Sequence, residues 1–418
     1  MSVEQHTLSN GATVLIDHMP DSDEAALGYY FRVGSRFETK KENGLAHFLE
    51  HMAFKGTNSR DVRQLAIEMD DLGAQSNAFT GKEGTCYFLA GAAEDAFTFN
   101  EIVSDMAMNM ALPVAELERE RGAILEEIKM YDDQATSLMQ DHLGFTAYPN
   151  QAYGRTILGP SINIENFDRE AFEKFRNKHY HAGNLIVSVA GNVDPQKILK
   201  DIERTTSQLS SGKRSKAKPA KYAGGDVQVQ RPDQQINLML SFQASAAGKP
   251  ENTAEAVMNK VLSGGQSSRL FVEVREKRGL VYSVQSGLGR SFDTGQAFIY
   301  AGTSPSKVSA LVPVICDELN KMRQEKISDK ELARAKKKLI VSNLSGGSAN
   351  GRMRSNAGEF NLKEKISTKD EFRARVDAVT KEDVQKAAQD IFSGKPTLSS
   401  VGPSDFPDYD DVVQRLDI

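Results

Sequence analysis

Gly44-Leu-Ala-His-Phe-Leu-Glu-His-Met-Ala-Phe-Lys-Gly-Thr57 organises the rest of the chain, and His47-Phe48-Leu49-Glu50-His51 within it carries the chemistry. The residues from Leu45 to Lys55 are mostly good helix formers, and Gly56 is a natural stop just past the last turn. On a helix His47 and His51 lie four apart, so their imidazoles project from one face, one turn above the other. Glu50 shares that face. Two imidazoles at this spacing hold a zinc ion in known sites, with the adjacent carboxylate taking a proton from water. This is the mechanics of H-x-x-E-H, the reverse of the H-E-x-x-H helix. Histidines four apart are equally compatible with ordinary surface or core positions. Against that, Leu45, Ala46, Phe48, Leu49, Met52 and Phe54 make the segment apolar almost all round, as in a buried helix. Three ionisable groups on a buried helix are costly unless paired or bound to a metal.

Composition limits the alternatives. A chain of 418 residues exceeds one ordinary core, so two domains are expected. A net charge of −5 and the lack of an aromatic-plus-basic pattern argue against nucleic-acid binding. The two cysteines, Cys86 and Cys316, lack C-x-x-C spacing and read as core thiols rather than a zinc cluster or a disulfide framework. No basic start leads into an apolar run, and no apolar stretch reaches the roughly 18 residues of a membrane span. The expected location is cytoplasmic.

Along the chain, residues 7–17 read as a hairpin around Asn10-Gly11, and 26–33 as a strand leading to the His47 helix. A helix ends at Leu72-Gly73, Ala74–Thr80 and Thr85–Ala90 flank a turn at Gly81-Lys82, and 92–111 is helical. Pro113 then opens a helix from Val114 to about Tyr131. Glu120 and Glu127 lie seven apart on one face of it. Glu116, Glu118 and Glu126 read as a solvated face. Glu127 falls between Leu125 and Ile128 near the inner side, a candidate for the third ligand that two histidines leave missing. His6, His18, His142, His179 and His181 read as packing or surface residues.

Residues 206–225 are small, polar and basic without apolar periodicity, and read as a linker between domains at 1–205 and 226–418. The second half then repeats the first. Strand 236–242 answers 26–33, helix 254–262 answers the His47 helix, 297–301 with 306–324 answers 85–111, and 397–401 answers 184–190. Val257, Lys260 and Val261 stand where His47, Glu50 and His51 would be. A repeat of about 200 residues with its chemistry in the first copy only is the economical account.

These motifs, with Asn77-Ala-Phe-Thr80, Glu118-Arg-Glu-Arg-Gly-Ala-Ile-Leu-Glu-Glu-Ile128 and Gly154-Arg-Thr-Ile-Leu-Gly-Pro160, resemble the pitrilysin-type zinc peptidases over nearly the whole chain. The likeness is to the branch of the mitochondrial processing peptidase β-subunit and its short bacterial relatives. It implies an α+β fold of two homologous domains, each an open, mostly antiparallel sheet packed with helices, forming a clamshell on dimerisation. It implies one zinc per chain on His47, His51 and Glu127, with Glu50 as general base and Glu120 orienting a ligand histidine. Asn77, Ala78 and Phe79 match the family's edge strand, which pairs with extended substrate. Arg275 and Tyr282, seven apart, match an arginine and a tyrosine that contact substrate and tetrahedral intermediate in larger relatives. Those relatives join four such domains. Two domains imply a homodimer, or a heterodimer with a paralogous subunit. The expected activity is zinc-dependent endopeptidase action on extended peptides or presequence-like segments. The alternative is a structural or non-self-sufficient subunit of a processing peptidase or respiratory complex.

Overall fold

The computed structural model describes residues 3–344, 347–403 and 406–418, and the chain divides into two compact units. The first comprises Met1–Lys129, Arg155–Lys218 and Gly346–Ile366; the second comprises Met130–Gly154, Pro219–Ser345 and Ser367–Ile418. Both are mixed sheet-and-helix units, and neither sheet closes into a barrel.

In the first unit the strands are β1 (Glu4–Thr7), β2 (Thr13–His18), β3 (Glu24–Phe31), β4 (Gln75–Thr80), β5 (Thr85–Ala92) and β6 (Leu185–Gly191). They lie in the order β1-β2-β6-β3-β5-β4, with β2 and β6 parallel and every other pair antiparallel. The central strand shows why 26–33 reads as an unbroken apolar run. Ala25, Leu27, Tyr29 and Phe31 enter one core while Ala26 and Tyr30 enter another on the opposite face.

The second unit holds β7 (Gly225–Gln230), β8 (Ile236–Ala244), β9 (Ser283–Arg290), β10 (Gly295–Thr303) and β11 (Thr397–Gly402), in the order β7-β11-β8-β10-β9. Here β7 and β11 are parallel and the rest antiparallel. Position by position this is the first sheet without β1. The repeat read from the sequence is therefore a repeat of topology.

The units are not contiguous halves. The sequence reading parts the chain at 206–225 into 1–205 and 226–418, and the unit boundary at Lys218/Pro219 falls inside that stretch. Each half nevertheless lends the other sheet a helix. Helix Ala349–Lys363 lies against β2, β3 and β6, where Met353, Ala357 and Phe360 pack on Leu15, Ala26, Tyr30 and Ile186. A Cβ on Gly28 would come within 2.6 Å of the Met353 sulfur, so glycine permits the close approach. Arg352 donates to both carboxylate oxygens of buried Asp17 at 2.6 Å, and Asn356 adds a third bond at 3.0 Å. Reciprocally, helix Ala135–Ala147 covers β7, β8 and β11, with Met139 and Leu143 on Met239 and Val401. The physical reason is that both central strands are apolar on both faces, while the helices of each sheet's own half cover one. Each large side chain so buried contributes about 1.5–3 kcal/mol.

Cys86 and Cys316 are buried free thiols. Among the described residues no helix is long and apolar enough to cross a membrane.

Candidate metal centre

His47, Glu50 and His51 sit on helix Leu45–Met52, which follows β3 and packs into the first core through Leu45, Ala46, Phe48, Leu49 and Met52. The second contributing helix, Val114–Asp133, buries Leu117 and Ile124, seven apart. Glu120 and Glu127 each stand three residues after one of these, so they share the flank of the inward stripe. Glu118 and Glu126 face solvent and pair with Arg121 and Lys129. Glu116 differs from the solvated position expected of it: its side chain is largely covered beside Arg119.

Ligand atoms of His47, His51 and Glu127 all lie within 4.8 Å of one another, a grouping of three found here among the described residues. A Glu127 oxygen is 3.8 Å from His47 Nε2 and 3.5 Å from His51 Nε2. The edge of a tetrahedron with 2.0–2.1 Å bonds is roughly 3.3 Å, so these spacings suit one small cation more than direct hydrogen bonds. His51 Nδ1 faces Glu120 at 3.1 Å. The carboxylate accepts the Nδ1–H, which leaves the Nε2 lone pair turned toward the cluster. Lys55 in turn donates to the other Glu120 oxygen at 2.7 Å.

His47 Nδ1 and one Glu50 oxygen are buried without a hydrogen-bond partner. Buried polar atoms left this way each cost about 1–3 kcal/mol; of the two, the Glu50 oxygen bears on the site, since His47 turns Nε2 rather than Nδ1 toward Glu127. Burial, and secondarily the nearby His51, pushes the His47 pKa down to about 3, keeping the imidazole neutral as a metal ligand requires. Burial also raises Glu50 above the ordinary glutamate value, and Glu127 adds to the rise. The Thr80 hydroxyl and His51 pull the other way. The donor set of two imidazoles, one carboxylate and a raised neighbouring carboxylate fits zinc.

Comparison with known proteins follows the same line. The family model described as insulinase (peptidase family M16) matches residues 13–161, and that of the peptidase M16 inactive domain matches 166–339. The chain is 36% identical to an "uncharacterized zinc protease" of Rickettsia felis, over 95% of this chain and 97% of that one. It belongs to peptidase family M16. A Bacillus subtilis protein, also named a zinc protease, is 32% identical over 96% of this chain and 98% of its own. In fold the M16 chain matches the crystal structure of a protease from Helicobacter pylori, with a TM-score of 0.90, 22% identity and coverage of 96% of this chain and 99% of that. A chain of complex III from Candida albicans gives 0.89 at 19% identity, covering 99% and 100%. The part matched by the inactive-domain model includes Val257, Lys260 and Val261. There Val257 and Val261 are buried in the second core.

The other sequence-derived positions fall as follows. Asn77, Ala78 and Phe79 lie on β4, an outer strand of the first sheet that pairs only with β5 among the described strands. The Phe79 ring is committed to packing: Arg354 lies over it at 4.9 Å and Tyr30 meets it edge-on. Asn77 is exposed, and its side-chain oxygen accepts the Ala78 N–H at 2.8 Å. Arg275 and Tyr282 belong to the second unit. Arg275 lies in the π-helical turn Phe271–Glu276 with its guanidinium over Phe271, and Tyr282, just before β9, is 61% exposed. His179 and His181 point to Ser215 and Asn184. Two residues near the site carry no signal in the sequence: Lys55, which lies in the turn after the helix ends at Met52, and Thr80, which only the fold brings to Glu50.

Proposed function

We propose that this chain is a zinc-dependent endopeptidase acting on extended or unfolded peptides. The observation that carries the reading is the convergence of His47, His51 and Glu127 from two helices, with Glu50 one position away and partly unpartnered. His47, His51 and Glu127 would hold the ion. Zinc bound there supplies Lewis-acid activation of water and of the scissile carbonyl. Glu50 accepts the proton of the attacking water and passes it to the leaving amine nitrogen, a shuttle suited to a carboxylate raised by burial. Glu120 holds the His51 ring in the tautomer that presents Nε2. An extended peptide pairs with the outward backbone of β4, which gives affinity with little demand on sequence. Arg275 and Tyr282 donate to substrate carbonyls and to the tetrahedral intermediate, from this copy or from a partner in a homodimer or heterodimer.

The test is cleavage of a quenched-peptide mixture by zinc-loaded protein, beside a chelated sample and Glu50→Gln. Activity confined to the loaded native protein supports the reading; activity surviving in either control overturns it. The likeness to a complex III chain and the inactive-domain match support a second reading, a subunit that needs a partner. Stoichiometric zinc without cleavage by the protein alone would favour it.

A further inference from the structure

The His47 helix begins in an unusual way. It is eight residues long, and its N-cap, Gly44, has φ +108° and no side chain to receive the first free N–H groups. A side chain cannot be added there. A Cβ on Gly44 would lie 2.6 Å from the Leu158 carbonyl oxygen and 2.7 Å from Ile164. The serine, threonine or aspartate that ordinarily caps a helix is thus excluded by both conformation and space.

Glu38 takes over that task from outside the helix. One of its carboxylate oxygens accepts from Gly44 N at 3.0 Å and Asn43 Nδ2 at 2.9 Å, and the other from Ala46 N at 2.7 Å. The side chain is almost wholly buried, at 3% exposure, and its carboxyl group faces the start of the helix; burial pushes its pKa up to about 7, against the pull of the Ala46, Asn43 and Gly44 donors. Glu38 is itself mounted firmly. It follows the short 3₁₀ turn Ser35–Phe37, whose Ser35 and Arg36 amides donate to the Gly81 and Lys82 carbonyls in the β4–β5 turn. Arg36 is wholly buried and pairs with Glu83 at 2.5 Å.

The two histidines differ in what holds them. The His51 ring is fixed by Glu120, whereas His47 Nδ1 has no partner. The aim of His47 therefore depends on the backbone of the helix's first turn, and Ala46, whose N–H Glu38 binds, is the residue before it. We propose that Glu38 is a positioning residue for His47: by capping the helix start in place of a local side chain, it sets the direction of the ring that no hydrogen bond orients. It also ties that ring to the β4–β5 hairpin, so the metal helix and the outward strand share one anchor. This inference rests on the zinc reading above.

The experiment compares native protein with Glu38→Gln. The amide keeps the shape of the side chain but turns one acceptor into a donor facing an N–H. Zinc affinity is measured by competition with a chromophoric chelator, and kcat and KM with a peptide. Loss of a supporting contact of this kind weakens zinc binding about 10- to 100-fold, and we expect kcat to fall with KM nearly unchanged. Equal zinc affinity and equal kcat in the two proteins would overturn the inference. A native protein that binds no zinc would instead overturn the zinc reading. Should Glu38→Gln fail to fold, amide hydrogen exchange of the native metal-free protein decides. The Gly44 and Ala46 amides should be as protected as that of Leu49, and rapid exchange at those two would refute the cap.

Discussion

The two sheets of this molecule share strand order and strand direction, yet only the helix after the first gathers histidines and a carboxylate that face a second acidic helix; the acid of the other, Glu255, is paired with Arg290. After β3 comes His47-Phe48-Leu49-Glu50-His51; after β8 comes helix Asn252–Ser263, whose Val257 and Val261 are buried among apolar neighbours. The fold requires neither arrangement. It requires only that an apolar stripe on that helix meet the sheet, which Leu45, Phe48, Leu49 and Met52 satisfy in one copy and Val257, Met258, Val261 and Leu262 in the other. Chemistry is thus an added cost borne by one copy, seen in the unpartnered His47 Nδ1 and Glu50 oxygen. The other copy buries an acid too, but Glu255 is satisfied by Arg290 and the Ser245 amide.

This contrast can be broken at several points. The largest effect is expected at Glu50. Glu50→Gln should retain zinc by metal analysis while kcat falls about 10²–10⁴-fold, the contribution of a placed proton carrier. The converse change should fail to create a site. Val257→His with Val261→His places two polar rings on a buried helix whose neighbouring carboxylates, Glu255 and Glu331, are already paired with Arg290 and Arg269. It should lower stability in denaturant melts by about 1–3 kcal/mol per buried group and bind no additional zinc. A second bound zinc would show that the two helices are interchangeable.

A smaller change sharpens the comparison within the first unit. Glu120→Gln leaves His51 with a weaker acceptor and should reduce zinc affinity or activity about 10- to 100-fold, read by chelator competition. The smallest effect concerns acid. Burial pushes His179 down to about 4, against an ordinary value near 6.5. The unfolded chain therefore takes a proton below about pH 6.5 that the folded protein refuses. Stability is full above that pH and lost as pH falls toward 4, by about 2 kcal/mol at pH 5. His179 lies in the first unit, so hydrogen exchange at pH 5 should show that unit loosening before the second, and His179→Phe should reduce the difference.

Much of this was legible in the residues. The His47 helix announces itself because polar groups interrupt an otherwise all-apolar segment. Glu127 is suggested by phase, since it stands between Leu125 and Ile128 near the inner side of its helix. The repeat shows in the apolar strands because central strands buried on both faces leave unbroken runs. The exchange of helices was not legible. Helix Ala349–Lys363 presents only Ala349, Met353, Ala357 and Phe360 as a thin apolar row amid arginine, asparagine and glycine. Such a row can reveal a packing face, but it does not indicate which sheet receives it. Glu38 was hidden for a related reason: a lone acid in a loop carries no periodicity, and its role arises only when Gly44 turns out to be hemmed in.

The exchanged helices also bear on how the protein is made. A chain emerging from the ribosome completes β1 to β6 by Gly191, but the helix that covers the outer face of that sheet ends at Lys363. The first sheet must therefore wait, one face bare, through about 170 further residues of synthesis, roughly 10–30 seconds at common elongation rates. During that interval Leu15, Tyr30, Phe88 and Ile186 lie open to any apolar surface nearby. The last-made half thus acts as the first half's finishing piece, and a nascent chain halted soon after Gly191 would be a natural client for chaperones.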